Sequence, residues 1–68
     1  MDRQRFGKNI QDLICSLDLS VDAFTRRIGV DRRSGYRWIH GYQTPSLEML
    51  VRIRDEFGVS IDKLLEGV

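Results

Sequence analysis

The stretch LSVDAFTRRIGVDRRSGYRWIHG, residues 19–41, decides how this chain folds. Ser20 and Asp31 are residue types that cap the N-termini of helices, and Gly29 and Gly41 are typical of helix ends. Between these signals, apolar residues recur at helical spacing and no alternating β pattern competes. The stretch therefore predicts two short helices, at about residues 20–28 and 31–40, joined by a turn of about three residues.

The chain before this stretch predicts a first helix from about Asp2 to Leu17. Its apolar face carries Phe6, Ile10, Leu13 and Leu17, with Ile14 at the edge of the stripe. Cys15 points the opposite way, and we expect it to be an unpaired surface thiol.

The chain after this stretch predicts two more helices. Pro45-Ser46 opens a fourth helix that ends at Gly58, and Ser60 caps a short fifth one. The apolar residues expected on their buried faces are Leu47, Leu50, Val51 and Phe57 in the fourth helix and Ile61, Leu64 and Leu65 in the fifth. The pattern predicts an all-α fold of five helices, with residues 1–68 forming a single domain.

Length and composition exclude several classes of protein. A chain of 68 residues buries only about 60% of the surface that its unfolded form exposes, so it forms one small core without a deep pocket. We find no nucleophile–base arrangement, no phosphate-binding glycine loop and no cluster of metal ligands, so we expect neither an enzyme nor a cofactor, metal or small-molecule substrate. No apolar run approaches the roughly 20 residues of a membrane span, and no signal-peptide core is present. We therefore expect a cytoplasmic protein with no membrane partner.

The charge is distributed unevenly along the chain. The whole chain carries a formal net charge of +1, but residues 26–43 hold five arginines and one aspartate, a net charge of +4. Arginine suits bidentate contacts to phosphate or guanine better than lysine does. The middle of the chain is therefore the part expected to meet an anionic partner.

The third helix divides into two faces at about 100° per residue. One face holds Ser34, Gly35, Trp38 and Ile39, and the other holds Arg32, Arg33, Tyr36, Arg37 and His40. The second face has no acidic residue at the spacing that usually balances arginines on an exposed helix. An ordinary solvated face is the alternative, but this composition favours recognition of an anion.

Two helices joined by such a turn form a helix-turn-helix, whose second helix can enter the major groove of DNA. The N-terminal residues of that recognition helix reach the edges of bases. The candidates for base contact are therefore Arg32, Arg33, Tyr36 and Arg37. Arginine favours guanine, with about 1–3 kcal/mol of discrimination for a good bidentate pair. Tyr36 has the alternative role of covering a neighbouring side chain.

Residues 6–67 resemble the lambda-repressor-like (Xre-type) helix-turn-helix family. The most specific parts are LSxDxF…IGV, the Trp38…Gly41 spacing, PSLE at residues 45–48 and FGVSIDKLL at residues 57–65. The resemblance implies a five-helix transcriptional regulator that binds operator DNA, often as a homodimer. It also implies contacts to the DNA backbone from the start of the second helix and from the loop Gly41–Thr44.

The candidates for backbone contact are Ser20, Val21, Arg26, Arg27, His40, Gln43 and Thr44. For the two arginines and the two loop residues, an ordinary solvated side chain is an equal alternative. His40 lies near a helix C-terminus, where the helix dipole alone would favour it.

Three departures from the family pattern carry structural expectations. Val21 replaces the usual glutamine, so a side-chain contact to phosphate is lost. Thr25 and Gly35 replace a usual alanine and a usual branched residue, and we interpret them as a compensating large–small pair where the two helices cross. Ile14 and Ile39 replace an ion pair, and we expect these two side chains to meet.

The sequence thus predicts a sequence-specific DNA-binding regulator, most simply a repressor, with double-stranded DNA as its partner. The alternative is a protein–protein interaction module of the same fold, which an exposed apolar surface at Met49 and Ile53 would favour. In a homodimer, the second subunit would cover these two residues; the alternative is that the fifth helix covers them within the monomer.

Overall fold

Five α-helices make up the computed structural model, which describes all 68 residues. They are α1 (Arg3–Ser16), α2 (Val21–Arg27), α3 (Arg32–Ile39), α4 (Leu47–Phe57) and α5 (Ile61–Leu64). The chain contains no strand. The all-α, five-helix fold that the sequence predicts is confirmed.

Each helix begins at a residue whose side chain caps it. The Ser20 hydroxyl accepts a hydrogen bond from the backbone N–H of Ala23 at 3.0 Å, and Ser46 and Ser60 accept equivalent bonds at 3.2 and 3.0 Å. Asp2 caps α1 in the same way, and Asp31 caps α3. Such caps satisfy N–H groups that have no partner within the helix, typically worth about 1 kcal/mol each.

Nine fully buried apolar residues form one core to which all five helices contribute: Phe6, Ile10, Ile14, Phe24, Ile28, Trp38, Leu50, Ile53 and Leu64. In α1 the buried stripe runs through Phe6, Ile10 and Ile14, whereas Leu13 and Leu17 are only half-buried. The expectation that Ile14 lies at the edge is wrong, because α1 turns its Phe6–Gly7–Ile10 side towards α3. Cys15 is exposed and free, as expected.

In α4 one expectation is wrong, and one of the alternatives that the sequence left open is decided. Ile53 is fully buried, and Met49 is half-buried and packed against the core. Leu47, expected on the buried face, is 71% exposed. The buried stripe of α4 therefore runs through Leu50, Ile53 and Phe57, three and four residues apart as helical packing requires. Ile53 is covered within the chain, so it offers no exposed surface for another protein.

Two glycines let helices approach α3 closely. A Cβ at Gly7 would lie 2.6 Å from the carbonyl oxygen of Trp38 and closer still to that of Ile39. A Cβ at Gly35 would lie 2.7 Å from Cγ2 of Thr25 and 3.0 Å from Cγ1 of Val21. The predicted large–small pair at the crossing of α2 and α3 is therefore present.

Where the helices cross, buried polar groups have hydrogen-bond partners and apolar side chains pack together. Thr25 is fully buried, and its hydroxyl donates to the carbonyl oxygens of Val21 and Asp22. No buried side-chain nitrogen or oxygen lacks a hydrogen-bond partner. Ile14 and the half-buried Ile39 pack into the same apolar cluster, and neither points separately into solvent.

The last turn of the chain is fixed to α1 by Asn9. Its side-chain amide donates to the carbonyl oxygens of Leu64 and Glu66, at 2.9 and 2.8 Å. Arg5 donates a further bond, of 3.3 Å, to the Glu66 carbonyl oxygen. These contacts join residues more than 50 positions apart and hold the C-terminal end of the domain against α1.

Candidate nucleic-acid interface

The buried residues of α3 set the orientation of this helix. Gly35 and Trp38 are buried, at the contacts with α2 and α1 described above. Gly29 and Gly41, which precede and follow α3, both have φ of +76°, a conformation that costs other residues about 1 kcal/mol or more. The turns around α3 are therefore fixed by backbone conformation, and the opposite side of the helix is held towards solvent.

The exposed side of α3 holds all four residues predicted to contact bases: Arg32, Arg33, Tyr36 and Arg37. We call these four side chains the arginine face. Tyr36 is 47% exposed. The structure thus brings the predicted base-contacting residues together on one accessible surface.

The three arginines of this face differ in their partners. Arg32 and Arg37 form no ion pair and no side-chain hydrogen bond within the protein, although six ion pairs form outside this face. Arg33 lies beside the N-cap of its own helix, with its Nη2 3.5 Å from Oδ2 of Asp31. Two of the three guanidinium groups are therefore free to bind an external anion.

Asp31, which caps α3, is the only acidic residue between positions 26 and 43. Its Oδ1 accepts a hydrogen bond of 2.8 Å from the backbone N–H of Arg33. That bond is the main reason why the pKa of Asp31 lies below its usual value of 3.8, and the side chains of Arg33 and Arg32 lower the pKa further while desolvation opposes them. The carboxylate is therefore ionised wherever the protein is near neutral pH.

A row of aromatic rings continues from the arginine face. The Tyr36 and His40 rings stack with their centroids 6.4 Å apart, and the Tyr42 ring lies 5.9 Å from that of His40. Tyr42 is 70% exposed. Flat exposed rings of this kind can stack on sugars or cover a thymine methyl group.

Tyr42 is a surface residue to which no sequence motif assigns a role, and Arg3 lies beside it. Nη1 of Arg3 donates to the Tyr42 carbonyl oxygen at 3.5 Å, so the start of α1 lies beside the loop that follows α3. The signal available for Tyr42 was an aromatic residue in an otherwise polar loop. For Arg3 no sequence signal exists, because the contact spans 39 residues.

The residues predicted to contact the DNA backbone do not form one group. Gln43 is exposed and Thr44 is half-buried in the loop after α3, next to His40. At the start of α2, the Ser20 hydroxyl is used in the cap, and Val21 lies half-buried against Gly35.

The two arginines of α2 are paired with carboxylates. Arg26 binds Asp22 of the same helix at 2.6 Å and remains largely exposed. Arg27 binds Glu56 of α4 at 2.8 Å, and its guanidinium lies 4.9 Å above the ring of Phe57. In the free protein Arg27 is therefore part of the contact between α2 and α4.

Other kinds of site have little support in the structure. No group of three or more histidine, cysteine, aspartate or glutamate side chains could hold a metal ion. None of the five helices combines the length and the apolarity needed to cross a bilayer.

Comparison with known protein families identifies the helix-turn-helix. A family model described as "Helix-turn-helix" matches residues 10–64, which include α2, the turn and α3. Comparisons with curated proteins and with solved structures give no significant match.

Proposed function

The chain belongs to the lambda-repressor-like helix-turn-helix family, a family of DNA-binding regulatory domains, and from this premise we propose that it is a sequence-specific transcriptional repressor. In this proposal α3 enters the major groove of double-stranded DNA in the cytoplasm. Arg32, Arg33, Tyr36 and Arg37 contact base edges there.

The main observation behind the proposal is that Arg32 and Arg37 are exposed and unpaired. Both are exposed on α3 without an acidic partner, although carboxylates pair with arginines elsewhere on the surface. An unpaired guanidinium keeps all five N–H donors available for guanine or phosphate. A helix kept only for stability would gain from acidic neighbours at this spacing, and α3 has none.

Further contacts to the DNA backbone belong to the same proposal. We expect them from Ser20, Val21, Arg26, Arg27, His40, Gln43 and Thr44, and we add Tyr42 on account of its exposed ring. At Val21 only the backbone can donate to a phosphate, and Arg27 must exchange Glu56 for a phosphate.

A homodimer on a two-fold-symmetric site is the assembly we propose. One copy presents a small arginine face, and two copies that read half-sites about one DNA turn, roughly 34 Å, apart would double the contacts. Selection of bound sequences from a random duplex pool tests this directly. We expect an enriched inverted repeat, and an enriched single half-site would contradict the dimer.

The same selected duplex tests the role of the arginine face. We expect Arg37→Ala to weaken binding at least about fivefold without changing the melting temperature, because Arg37 has no partner within the protein. Arg54→Ala is the matched control. Arg54 pairs with Asp55 on α4, outside the residues proposed to contact DNA, so its loss should leave affinity unchanged. A pool without enrichment, or equal effects of the two variants, would contradict the proposed function.

A further inference from the structure

Asp31 is unusual among the carboxylates of this chain because it stands within the arginine-rich segment. It is the only acidic residue between positions 26 and 43, and it makes two contacts with one residue. Its Oδ1 accepts the Arg33 backbone N–H at 2.8 Å, and its Oδ2 lies 3.5 Å from Nη2 of Arg33. The cap of α3 and the side chain of Arg33 are therefore held by the same carboxylate.

The other helix caps show what distinguishes Asp31. The caps of α2, α4 and α5 are serines, which carry no charge and make the equivalent backbone bond, and Asp2, which caps α1, forms no ion pair. A negative charge at the tip of a helix that approaches DNA is repelled by phosphates, which lowers affinity for every sequence. Asp31 therefore differs from the other caps in contacting a side chain of the arginine face, at a cost in general affinity that a serine cap would avoid.

We propose that Asp31 is a positioning residue that holds the Arg33 guanidinium towards one base and so trades general affinity for sequence discrimination; this inference rests on the proposed function. One Arg33 N–H group faces the carboxylate, and the remaining donors suffice for the two acceptors of guanine. The carboxylate restrains the side chain from turning to a neighbouring phosphate. Arg32 and Arg37, without such a partner, keep that freedom.

The strength of the pair depends on its surroundings. In the free protein the Arg33 and Asp31 side chains are 77% and 55% exposed, so water and salt weaken their attraction. Within a groove, displaced water makes the same attraction stronger. The ionised state that this requires agrees with the lowered pKa of Asp31.

Asp31→Asn is the variant that separates the charge from the cap. Asparagine caps helices about as well as aspartate, so α3 should stay intact while the charge is lost. We would measure the dissociation constants of the selected duplex, of the same duplex with each base pair changed in turn, and of a random duplex. We expect tighter binding of the random duplex and a loss of about fivefold in discrimination at one base pair, with the others unchanged.

Two controls make this result specific. In an Arg33→Ala background, Asp31→Asn should leave the discrimination at that base pair unchanged, because the side chain that Asp31 positions is gone. Asp22→Asn removes a charge of the same sign that pairs with Arg26 at 2.6 Å on α2. It should raise affinity for all duplexes alike, without changing their ratios.

The outcomes separate this inference from the proposed function. Unchanged discrimination in Asp31→Asn, or a uniform loss of affinity for all duplexes, would overturn the role of Asp31 while leaving DNA binding in place. If Asp31→Asn melts at a lower temperature, Asp31→Ser, which uses the cap residue of α2, α4 and α5, repeats the test. A wild-type protein that binds every duplex equally would overturn the proposed function itself.

Discussion

On one side of α3, Gly35 and Trp38 are buried against α2 and α1, whereas on the other side Arg32, Tyr36 and Arg37 are exposed. The buried side is specified by close contacts: a methyl group added at Gly35 would meet the side chains of Thr25 and Val21. For the arginine face, the orientation of the helix fixes only that these side chains point towards solvent.

If the proposed function is right, stability and DNA recognition are separated across a single helix of eight residues. Substitutions on the buried side should change the free energy of unfolding, and substitutions on the arginine face should change DNA affinity. Asp31, at the N-terminus of the helix, has both roles, because it caps the backbone and contacts Arg33. The following experiments test this separation, from the largest expected effect to the smallest.

Gly7→Ala should have the largest effect on stability. The added Cβ would meet the carbonyl oxygens of Trp38 and Ile39, which are backbone atoms and cannot move without displacing α3. We expect a loss of about 3 kcal/mol in the free energy of unfolding, measured by urea denaturation.

Gly58→Ala provides the matched control for this substitution. Gly58 has φ of +68°, but nothing lies within 4 Å of an added Cβ. We therefore expect only the backbone cost of about 1 kcal/mol. Equal losses in the two variants would show that α1 does not depend on close contact with α3.

Gly35→Ala tests the crossing of α2 and α3. Its Cβ would lie 2.7 Å from Cγ2 of Thr25, while alanine is favoured over glycine in a helix by about 1 kcal/mol. We expect a net loss of about 1–2 kcal/mol by urea denaturation, because the clash outweighs the helix propensity.

Thr25→Ser should relieve most of this loss. Serine removes the methyl group and keeps the hydroxyl that donates to the Val21 and Asp22 carbonyl oxygens. A double-mutant cycle should give a coupling of about 1 kcal/mol. Additive effects would mean that Thr25 and Gly35 do not compensate each other.

The smallest expected effect is the pH dependence of the stability that Asp31 contributes. Its pKa is lower in the folded protein than the usual 3.8, so its contribution to stability is present above that value and is lost as the pH falls through the folded pKa. Titration followed by NMR of the Asp31 carboxyl should give a value below 3.8.

Arg33→Ala separates the two causes of this shift. The backbone N–H of Arg33 lowers the pKa most, and the substitution retains it. Most of the shift should therefore remain in the variant. A return to the usual pKa would show that the ion pair, and not the cap, controls the carboxyl group.

Local signals in the sequence were enough to predict much of the fold. Ser20, Asp31, Ser46 and Ser60 cap the helices as predicted, because a cap depends on residues only two or three positions away. The Thr25–Gly35 contact was also predictable, since the family resemblance identified both positions at the crossing of two consecutive helices.

Choices that depend on distant helices were not predictable in the same way. Ile14 and Leu13 are adjacent, and only the direction from which α3 approaches α1 decides that Ile14 is buried. Ile53 is buried for a similar reason in α4. At the interface, the position of Arg32 and Arg37 on the exposed side followed from helical periodicity.

The partners of charged side chains needed the structure. The engagement of Arg27 with Glu56 could not be predicted, because the two residues are 29 positions apart. The contact between Arg3 and the loop at Tyr42 has the same origin. The sequence could place arginines on helix faces, but only the fold decides which carboxylate or carbonyl oxygen each one meets.

The bonds from Asn9 to the carbonyl oxygens of Leu64 and Glu66 have a consequence for the order of folding during synthesis. The residues of α1 leave the ribosome before their partners on α3 and α5. The contacts of α1 are therefore completed only after α5 has been synthesised. Closing so long a loop is also a slow, entropically costly step, so α2 and α3, which are neighbours in sequence, can associate before α1 docks onto them.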